Sequence, residues 1–577
     1  MIFAKVSADS STLNDWTFLV ILLSVYAACV IALAIFGRGP LLARIPNALE
    51  RLTRIPGWAA AAMATALFGV FTAGEGFYSD VAWHIALGRD KSLFTAPHTA
   101  IVVGLGFIAL SGVLAVTFAT VQRAEVGFRI GALRVPWSAL PLLALGGAAV
   151  SGFPLDDLWH AKYGIDVTMW SPTHMLMILG ASFVGLAAWL VLAEARVSPR
   201  TSGWARGSHA VAAYLTLLGL AASQGEFTFG VPQFQQLFHP VLVMIAGGFA
   251  FVAIRLILGP FWGMGIAIAN VVMFSSGLSD SSGPVVTRTG GIYLASALAV
   301  AIAARIFGTD RRLRFALASG VGVATIGLAG EYAWNLGARQ AWNTSLFPEV
   351  VPLALLAAIG SAIVATAFGA AVRGDRDRPL SGRIVALGGL AVLASLVIPF
   401  PRAGGDGATA AIRLERTGGE NALVHVTLDP PSAANDARWF QVTTWQGGDL
   451  VLAEMKHEGD TPGAYVSDKP VPVDGPGKTL IRLHRGSRMV AIPVHMPADA
   501  EINAREIPAV DRTATFVREG RYLMRESHGG AAWFAIVVYV LLAGVAVVWV
   551  AAFVIAARHV PRDEAPAPVD REYALVA

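Results

Sequence analysis

Thiol chemistry is all but missing from this chain. Cys29 is the single cysteine in 577 residues, so no disulfide can close within the chain and no thiolate metal site can be built from it. Charge is scarce as well. Only 14% of residues are charged and the formal net charge is +4; the arginines fall between apolar segments, so they report topology and not binding to nucleic acid. Residues 1–15 lack a basic stretch followed by a small-residue cleavage site. The apolar segment at 16–36 therefore reads as a retained transmembrane helix and not as a cleaved signal.

Apolar side chains fill the space these absences leave. The chain is 55% hydrophobic with a mean hydropathy of +0.60, the profile of a polytopic membrane protein. Apolar runs of about 17–22 residues, enough to span a bilayer, predict helices near 16–36, 57–75, 98–120, 136–152, 173–193, 209–224, 239–257, 261–278, 290–307, 315–331, 349–371, 384–400 and 531–557. The expected fold is an all-α membrane domain of about 13 transmembrane helices. Arginines mark every second break: Arg38, Arg44, Arg51 and Arg54; Arg123, Arg129 and Arg134; Arg196, Arg200 and Arg206; Arg305, Arg311, Arg312 and Arg314; Arg373, Arg376, Arg378 and Arg383. By the positive-inside rule these breaks are cytoplasmic, which puts the N-terminus outside and the tail after Arg558 inside a bacterial-type inner membrane.

Composition changes after Phe400-Pro401. Alternating runs such as Leu423-Val-His-Val-Thr-Leu428, Trp439-Phe-Gln-Val-Thr-Thr444, Thr479-Leu-Ile-Arg-Leu-His484 and Val490-Ala-Ile-Pro-Val-His495 are separated by Gly and Pro, the pattern of a β-sandwich. Three regions follow: a helical membrane domain at 1–401, an extracytoplasmic β-sandwich at 402–530, and a final helix with a cytoplasmic tail at 531–577.

Inside the oily region one polar pattern occurs twice without a slip in spacing. Asp80, Trp83, His84, Asp90 and His98 match Asp156, Trp159, His160, Asp166 and His174, both reading D-x2-W-H-x5-D-x7-H. Buried Asp and His are costly at membrane depth unless they meet a partner or a metal. An Asp and a His four residues apart share one helix face, and the second His opens the next helix. Three such ligands leave a coordination position open. Helix capping and an interfacial aromatic belt explain Ser171-Pro172 and the tryptophans, but not four His and four Asp in one register. Helices two to eleven read as five hairpins, the later ones a decayed repeat. The third carries Glu226 and His239, a candidate further ligand pair; the fourth has Asp280; the fifth has Glu331 and Glu349, read as caps or proton-relay groups. His209, beside Arg206, reads as solvated. In the β-region Met455, His457, His484, His495 and Met496 are candidate metal contacts.

The stretch Asp80-Val-Ala-Trp83-His84, through Arg89-Asp90 to Phe94-Thr95-Ala-Pro97-His98, resembles a segment of the C subunit of the copper membrane monooxygenases, the family of particulate methane monooxygenase and ammonia monooxygenase. The family pattern is D-x2-W-H-x4-R-D followed by F-T-P-S-H. The second copy keeps the helix-start proline and histidine in Trp170-Ser171-Pro172-Thr173-His174. The likeness spans about 25 residues per copy, the scale of a short motif. It implies that Asp80, His84 and His98, and in the second copy Asp156, His160 and His174, are copper ligands on the outer side. Asp90 and Asp166 would orient a ligand histidine. Asp/His ligation by itself suits copper, zinc or iron; the resemblance selects copper. This chain departs from the family in its doubled motif, its larger number of spans and its fused β-domain. That domain, through Gly463-Ala-Tyr465 and Val471-Pro-Val-Asp-Gly475, resembles small periplasmic copper-associated β-sandwiches.

Three functions stay open at this point. The resemblance implies a copper-dependent oxygenase acting on a small apolar substrate, supplied with electrons by a quinol or another reductant and assembled with further membrane subunits. A second reading is a non-enzymatic copper protein that stores, transports or delivers the ion. A third is a transporter whose Asp/His pairs carry protons, against which stands the placement of the strong ionisable residues at the outer helix ends and not along a path through the bilayer.

Overall fold

The computed structural model describes residues 24, 28, 40–88, 94–164, 169–275, 290–337, 341–342, 344–377, 379–399, 407–437, 439–448, 450–485, 488–527 and 529–561. Most of the segment at 16–36, together with Asp90, Asp166 and Asp280, lies outside the described residues. Beyond residue 40, every predicted apolar segment contains a helix. Among the described residues eight are long and apolar enough to cross a membrane: Gly57–Ala86, Ala96–Val121, Ala139–Tyr163, Pro172–Glu194, Phe238–Leu258, Arg312–Asn335, Thr344–Val372 and Ala532–Arg558. Others are shorter than the apolar runs suggested. Trp262–Ser275 and Leu294–Phe307 have 14 residues each, a rise of about 21 Å against a hydrocarbon core of about 30 Å.

Successive helices pack as antiparallel hairpins, and small residues set how close they come. A Cβ on Gly104 would lie 2.3 Å from the Ala73 nitrogen, and one on Gly180 would lie 2.6 Å from the Ala149 Cβ. Without a hydrophobic drive between helices in lipid, such close backbone approach supplies the packing energy. Both glycines obey the 76-residue offset that separates Asp80 from Asp156, so the duplication covers the hairpin scaffold as well as the polar motif. The final helix lies along the second hairpin: Trp549 Nε1 donates to the Ala144 carbonyl (2.9 Å) and Tyr163 Oη to that of Ala531 (2.8 Å).

The C-terminal domain is all-β. Ten strands form one sheet. After a short hairpin of β1 (Phe128–Ile130) and β2 (Leu133–Val135) in the helical region, these are β3 (Thr409–Gly418), β4 (Asn421–Asp429), β5 (Trp439–Trp445), β6 (Val451–His457), β7 (Ala464–Ser467), β8 (Val471–Pro472), β9 (Lys478–Arg485), β10 (Arg488–His495), β11 (Arg512–Thr515) and β12 (Val517–Arg518). The order is β11-β3-β4-β7-β6-β5-β9-β10-β12, with β8 paired to β4. Where the alternating runs suggested two stacked sheets, hydrogen bonds join all strands into one nearly closed sheet. Its two edges, β11 and β12, are separated in the chain by Phe516 alone, so a single residue carries the chain from one edge to the other.

Strand β9 shows how this domain meets the helices. Ile481 and Leu483 point into the β-core. Alternation sends Leu480, Arg482 and His484 to the opposite face, which is buried too. There Leu480, Trp445, Ala491, Met496 and Leu523 pack with Ile85 and Val231 of the helical region. Two polar groups on that face need partners when buried. Arg482 reaches Glu519 through Nε (2.9 Å) and Nη2 (3.0 Å) and donates to the Pro232 carbonyl (2.5 Å), while His484 Nε2 lies 2.7 Å from Glu519.

Candidate metal centres

Each cluster is made at the open end of a helical hairpin. Helix Gly57–Ala86 carries Asp80 and His84 on one face of its last turns, and Ala96–Val121 brings back His98 in its first turn. Thr95 caps that turn by accepting from the His98 nitrogen (3.5 Å), with Pro97 in the helix start. Helix Ala139–Tyr163 and the one starting at Pro172 repeat the arrangement, with Ser171 accepting from the His174 nitrogen at 3.1 Å. These caps fill orphan donors of the helix and fix the direction in which each histidine leaves it. Close hairpin contact is again needed: a Cβ on Gly76 would meet the Ile101 nitrogen at 2.7 Å and the Pro97 carbonyl oxygen at 2.8 Å.

The six ligand candidates come together as two separate triads. In each triad, one ligand atom per residue lies within 4.8 Å of the others. Asp80 Oδ1 is 3.6 Å from His84 Nε2 and 3.0 Å from His98 Nε2. Asp156 Oδ2 is 3.6 Å from His160 Nε2 and 3.2 Å from His174 Nε2. Two imidazoles thus turn the same nitrogen toward one carboxylate oxygen, twice. Tetrahedral bonds of about 2.0–2.1 Å require ligand atoms about 3.3 Å apart, so the donor set and its spacing fit a divalent metal of the copper or zinc kind. Asp156 also accepts from Thr173 Oγ1 on its other oxygen at 2.5 Å, leaving Oδ2 to a metal. The triads are neighbours, for the His98 ring packs edge-on against Phe153 at 5.9 Å. Sequence reasoning missed Phe153 and its counterpart Phe77, and also Gly76 and Gly152. All four were legible in the 76-residue offset, had the repeat been followed upstream of the aspartates.

The β-domain closes over the ends of both cluster helices. Gln446 donates its backbone N–H to the Ile85 carbonyl (2.8 Å) and its side-chain amide to that of His84 (3.3 Å), and the Gly448 N–H donates to Ala86 (3.1 Å). These carbonyls belong to the last helical turn, where no intrahelical N–H is left to donate to them. At the second hairpin Gly164 forms a bridge with Ser527. Its φ of +82° and the 2.2 Å approach of the Glu526 carbonyl oxygen to a would-be Cβ both demand glycine.

Other sequence candidates fall elsewhere. Glu226 and His239 take different partners. Glu226 accepts from Trp170 Nε1 (3.2 Å) and from the Gln233 backbone N–H. Burial pushes its carboxyl up to about 7, against those two hydrogen bonds. His239 instead faces the fifth hairpin, with Nδ1 2.9 Å from Glu331 Oε1; both side chains are buried. Glu331 also accepts from Trp342 Nε1 and from Asn335 Nδ2, so it is the centre of a buried polar cluster and no helix cap. Glu349 is exposed. His209, expected in solvent, is 5% exposed and pairs through Nε2 with the Val197 carbonyl at 2.9 Å; its helix packs it against Trp189. In the β-domain His484 is committed to Glu519 and His495 to the Gly475 carbonyl. Among the described residues only the two Asp/His/His triads bring three metal-capable groups together. Comparison with protein-family models, curated proteins and solved structures returns no match to this chain.

Proposed function

We propose that the protein is a copper-dependent membrane oxygenase that holds metal at two outer-face sites, Asp80/His84/His98 and Asp156/His160/His174. The observation that carries the metal reading is the convergence of two imidazole Nε2 atoms on a single carboxylate oxygen in both copies. Copper is selected by the motif likeness. Bound copper supplies the redox chemistry by which O2 is activated. The overall reaction takes two electrons and two protons from a quinol-type reductant, places one oxygen atom in a small apolar substrate and releases the other as water. The chain's own part is to keep three ligands on a site that has room for a fourth and, at the first triad, to wall it with Phe153 and Phe94 on the side of the helices.

In this reading about 13 segments cross the cytoplasmic membrane, the N-terminus and the β-domain lie outside, and the C-terminus lies inside. The arginine-rich breaks, which fall at the helix ends away from the clusters, support that orientation. A reagent that labels amines from the cytoplasmic side of sealed vesicles should spare Lys456, whose side chain is exposed; labelling from that side would reverse the topology.

The function is tested by metal analysis, electron paramagnetic resonance and oxygen uptake in membranes given a reductant with ammonia or a short hydrocarbon. Uptake that depends on copper and disappears with Asp156→Ala or His174→Ala is the expected result. The second reading, copper storage or delivery, is favoured by the doubling itself, because two like sites suit a carrier as well as an enzyme. Full copper occupancy with no substrate-dependent uptake would select it.

A further inference from the structure

The second triad has a polar connection that leads away from it. Asp156 Oδ1 accepts from Thr173 Oγ1 (2.5 Å), whose oxygen lies 3.2 Å from Ser171 Oγ. Ser171 caps the His174 helix, and its chain neighbour Trp170 donates Nε1 to Glu226 Oε2 (3.2 Å). Ser171, Thr173, Asp156 and Glu226 are each at most 6% exposed. Beyond Glu226 the path continues through the backbone: Gln233 donates to Glu226, and the adjacent Pro232 carbonyl accepts from Arg482 of the β-domain.

Glu226 is the unusual member. Among the described residues no Lys, Arg or His forms an ion pair with it, although it is buried. Its direct partners are two neutral N–H donors. Arg482 faces it from β9 and favours its charge, Glu519 from the segment after β12 opposes it, and burial outweighs both. On its own short helix, Phe227 sets it apart from the His239–Glu331 pair, the His239 ring lying edge-on to Phe227 at 5.4 Å. A buried carboxyl with two N–H donors and no direct ion pair can hold or release a proton without unfolding its surroundings.

We propose that Glu226 is a proton-binding site serving the second metal triad, and that its ionised form draws in Trp170 and so steadies the Ser171–Thr173 support of Asp156 and His174. The group is a positioning residue and touches no ligand of the triad. This deepens the function proposed above and rests on the second triad binding metal. Ionisation, the form present above about pH 7, then tightens the second site, and protonation loosens it. The first triad carries Phe94 where the second has Trp170, and Pro97 where the second has Thr173; neither side chain has a polar hydrogen to donate, so the Trp170 and Thr173 contacts have no counterpart at these positions and the first triad serves as an internal control.

The test uses the full-length protein in lipid nanodiscs, labelled with 5-fluorotryptophan, the Trp170 fluorine signal being assigned by its loss in Trp170→Phe. In metal-free protein that signal should shift with a midpoint near pH 7, and in Glu226→Gln it should not move between pH 5.5 and 8.5, a window of about 1.5 units either side of neutrality. Copper(II) affinity is then measured for the second site alone in His84→Ala and for the first alone in His160→Ala. From pH 6 to 8 the second site should gain about tenfold more than the first, the size of effect expected of groups supporting a ligand. Glu226→Gln should bring the two pH profiles together. A Trp170 signal that titrates equally in Glu226→Gln, or that stays fixed in the unmutated chain, overturns the proton site. Identical pH profiles for the two sites in the unmutated background overturn its coupling to the metal. Failure of either site to take copper, with the fluorine titration intact, overturns the metal reading and leaves the proton site supported.

Discussion

The two triads have the same side chains at the same spacing, yet their surroundings differ. At the first, Pro97 follows the cap region and offers no donor to Asp80, and Phe94 packs against Phe153 with ring centres 5.4 Å apart. At the second, Thr173 holds one oxygen of Asp156 and Trp170 ties the hairpin to Glu226. The aspartate of the second triad is correspondingly deeper, its side chain 9% exposed against 17% for Asp80. Duplication thus preserved the donor atoms and changed the groups that orient them. Supporting contacts of that kind tune affinity without altering ligand identity, so the second site should hold copper more tightly than the first.

Removal of a ligand gives the largest effect and tests whether the sites are separate. Asp80→Ala and Asp156→Ala should each lose about one metal equivalent per chain, and the double variant both, because three protein ligands are near the minimum for a stable site. Loss of both equivalents in either single variant would instead make the triads one dinuclear centre. Next comes Arg482→Met, which should disturb the second site and spare the first. Burial alone would raise Glu519, but Arg482 and then His484 outweigh it and hold it at about 2. A depressed carboxyl contributes stability above its ordinary value near 4.5 and loses it as pH falls through about 2. Without Arg482 a buried charge is stranded, at a cost of about 3–5 kcal/mol. Thermal unfolding of the β-domain should therefore fall markedly at pH 7, with a smaller difference from the unmutated protein at pH 3.

How much of this was readable in the sequence follows from what each signal measures. Apolar run length predicted helices at every described segment, but not where helices such as Leu294–Phe307 stop, because flanking apolar residues can lie in turns. Period-two alternation gave strands β4, β5, β9 and β10; the closing of the sheet depends on β11 and β12, which are too short to show a period. The six candidate ligands, which the fold gathers into two triads, were legible because their spacing recurs. The partners of Glu226 and His239 were not, since Trp170 and Glu331 reach them from other hairpins and Gln233 folds back from the same loop through its backbone, contacts that no side-chain pattern encodes. His209, beside Arg206, looked like a solvated residue, and it is tertiary packing that buries it.

Thr173→Val sharpens the comparison without touching a ligand. It keeps the shape and removes the donor to Asp156 Oδ1, freeing the carboxylate to rotate. Second-site affinity should fall by about 10–100-fold, measured by competition with a chelator in the His84→Ala background, while the first site is unchanged. An equal loss at both sites would mean that Thr173 supports the hairpin and not the carboxylate.

The smallest effects should come from the glycines beneath the aspartates, which occupy equivalent positions but face different atoms. A methyl at Gly76 would press on the Ile101 nitrogen at 2.7 Å and the Pro97 oxygen at 2.8 Å, both backbone and unable to yield alone. A methyl at Gly152 would first meet Met177 Cγ at 2.8 Å, with the Thr173 oxygen at 3.3 Å. Methionine has three rotatable bonds and can move aside, whereas helix backbone moves only as a unit. Gly76→Ala should therefore cost about 1–3 kcal/mol, as overpacking does, and should open the first hairpin enough to separate Asp80 from His98 and weaken that site. Gly152→Ala should cost less than about 1 kcal/mol, partly offset by the better helix propensity of alanine, and leave the second site nearly intact. Denaturation in detergent and copper titration of the two variants measure both quantities. If Gly152→Ala proves the more damaging, the second hairpin is the more tightly fixed of the two, and the tighter copper binding expected at its site arises from helix packing and not from Thr173 and Trp170.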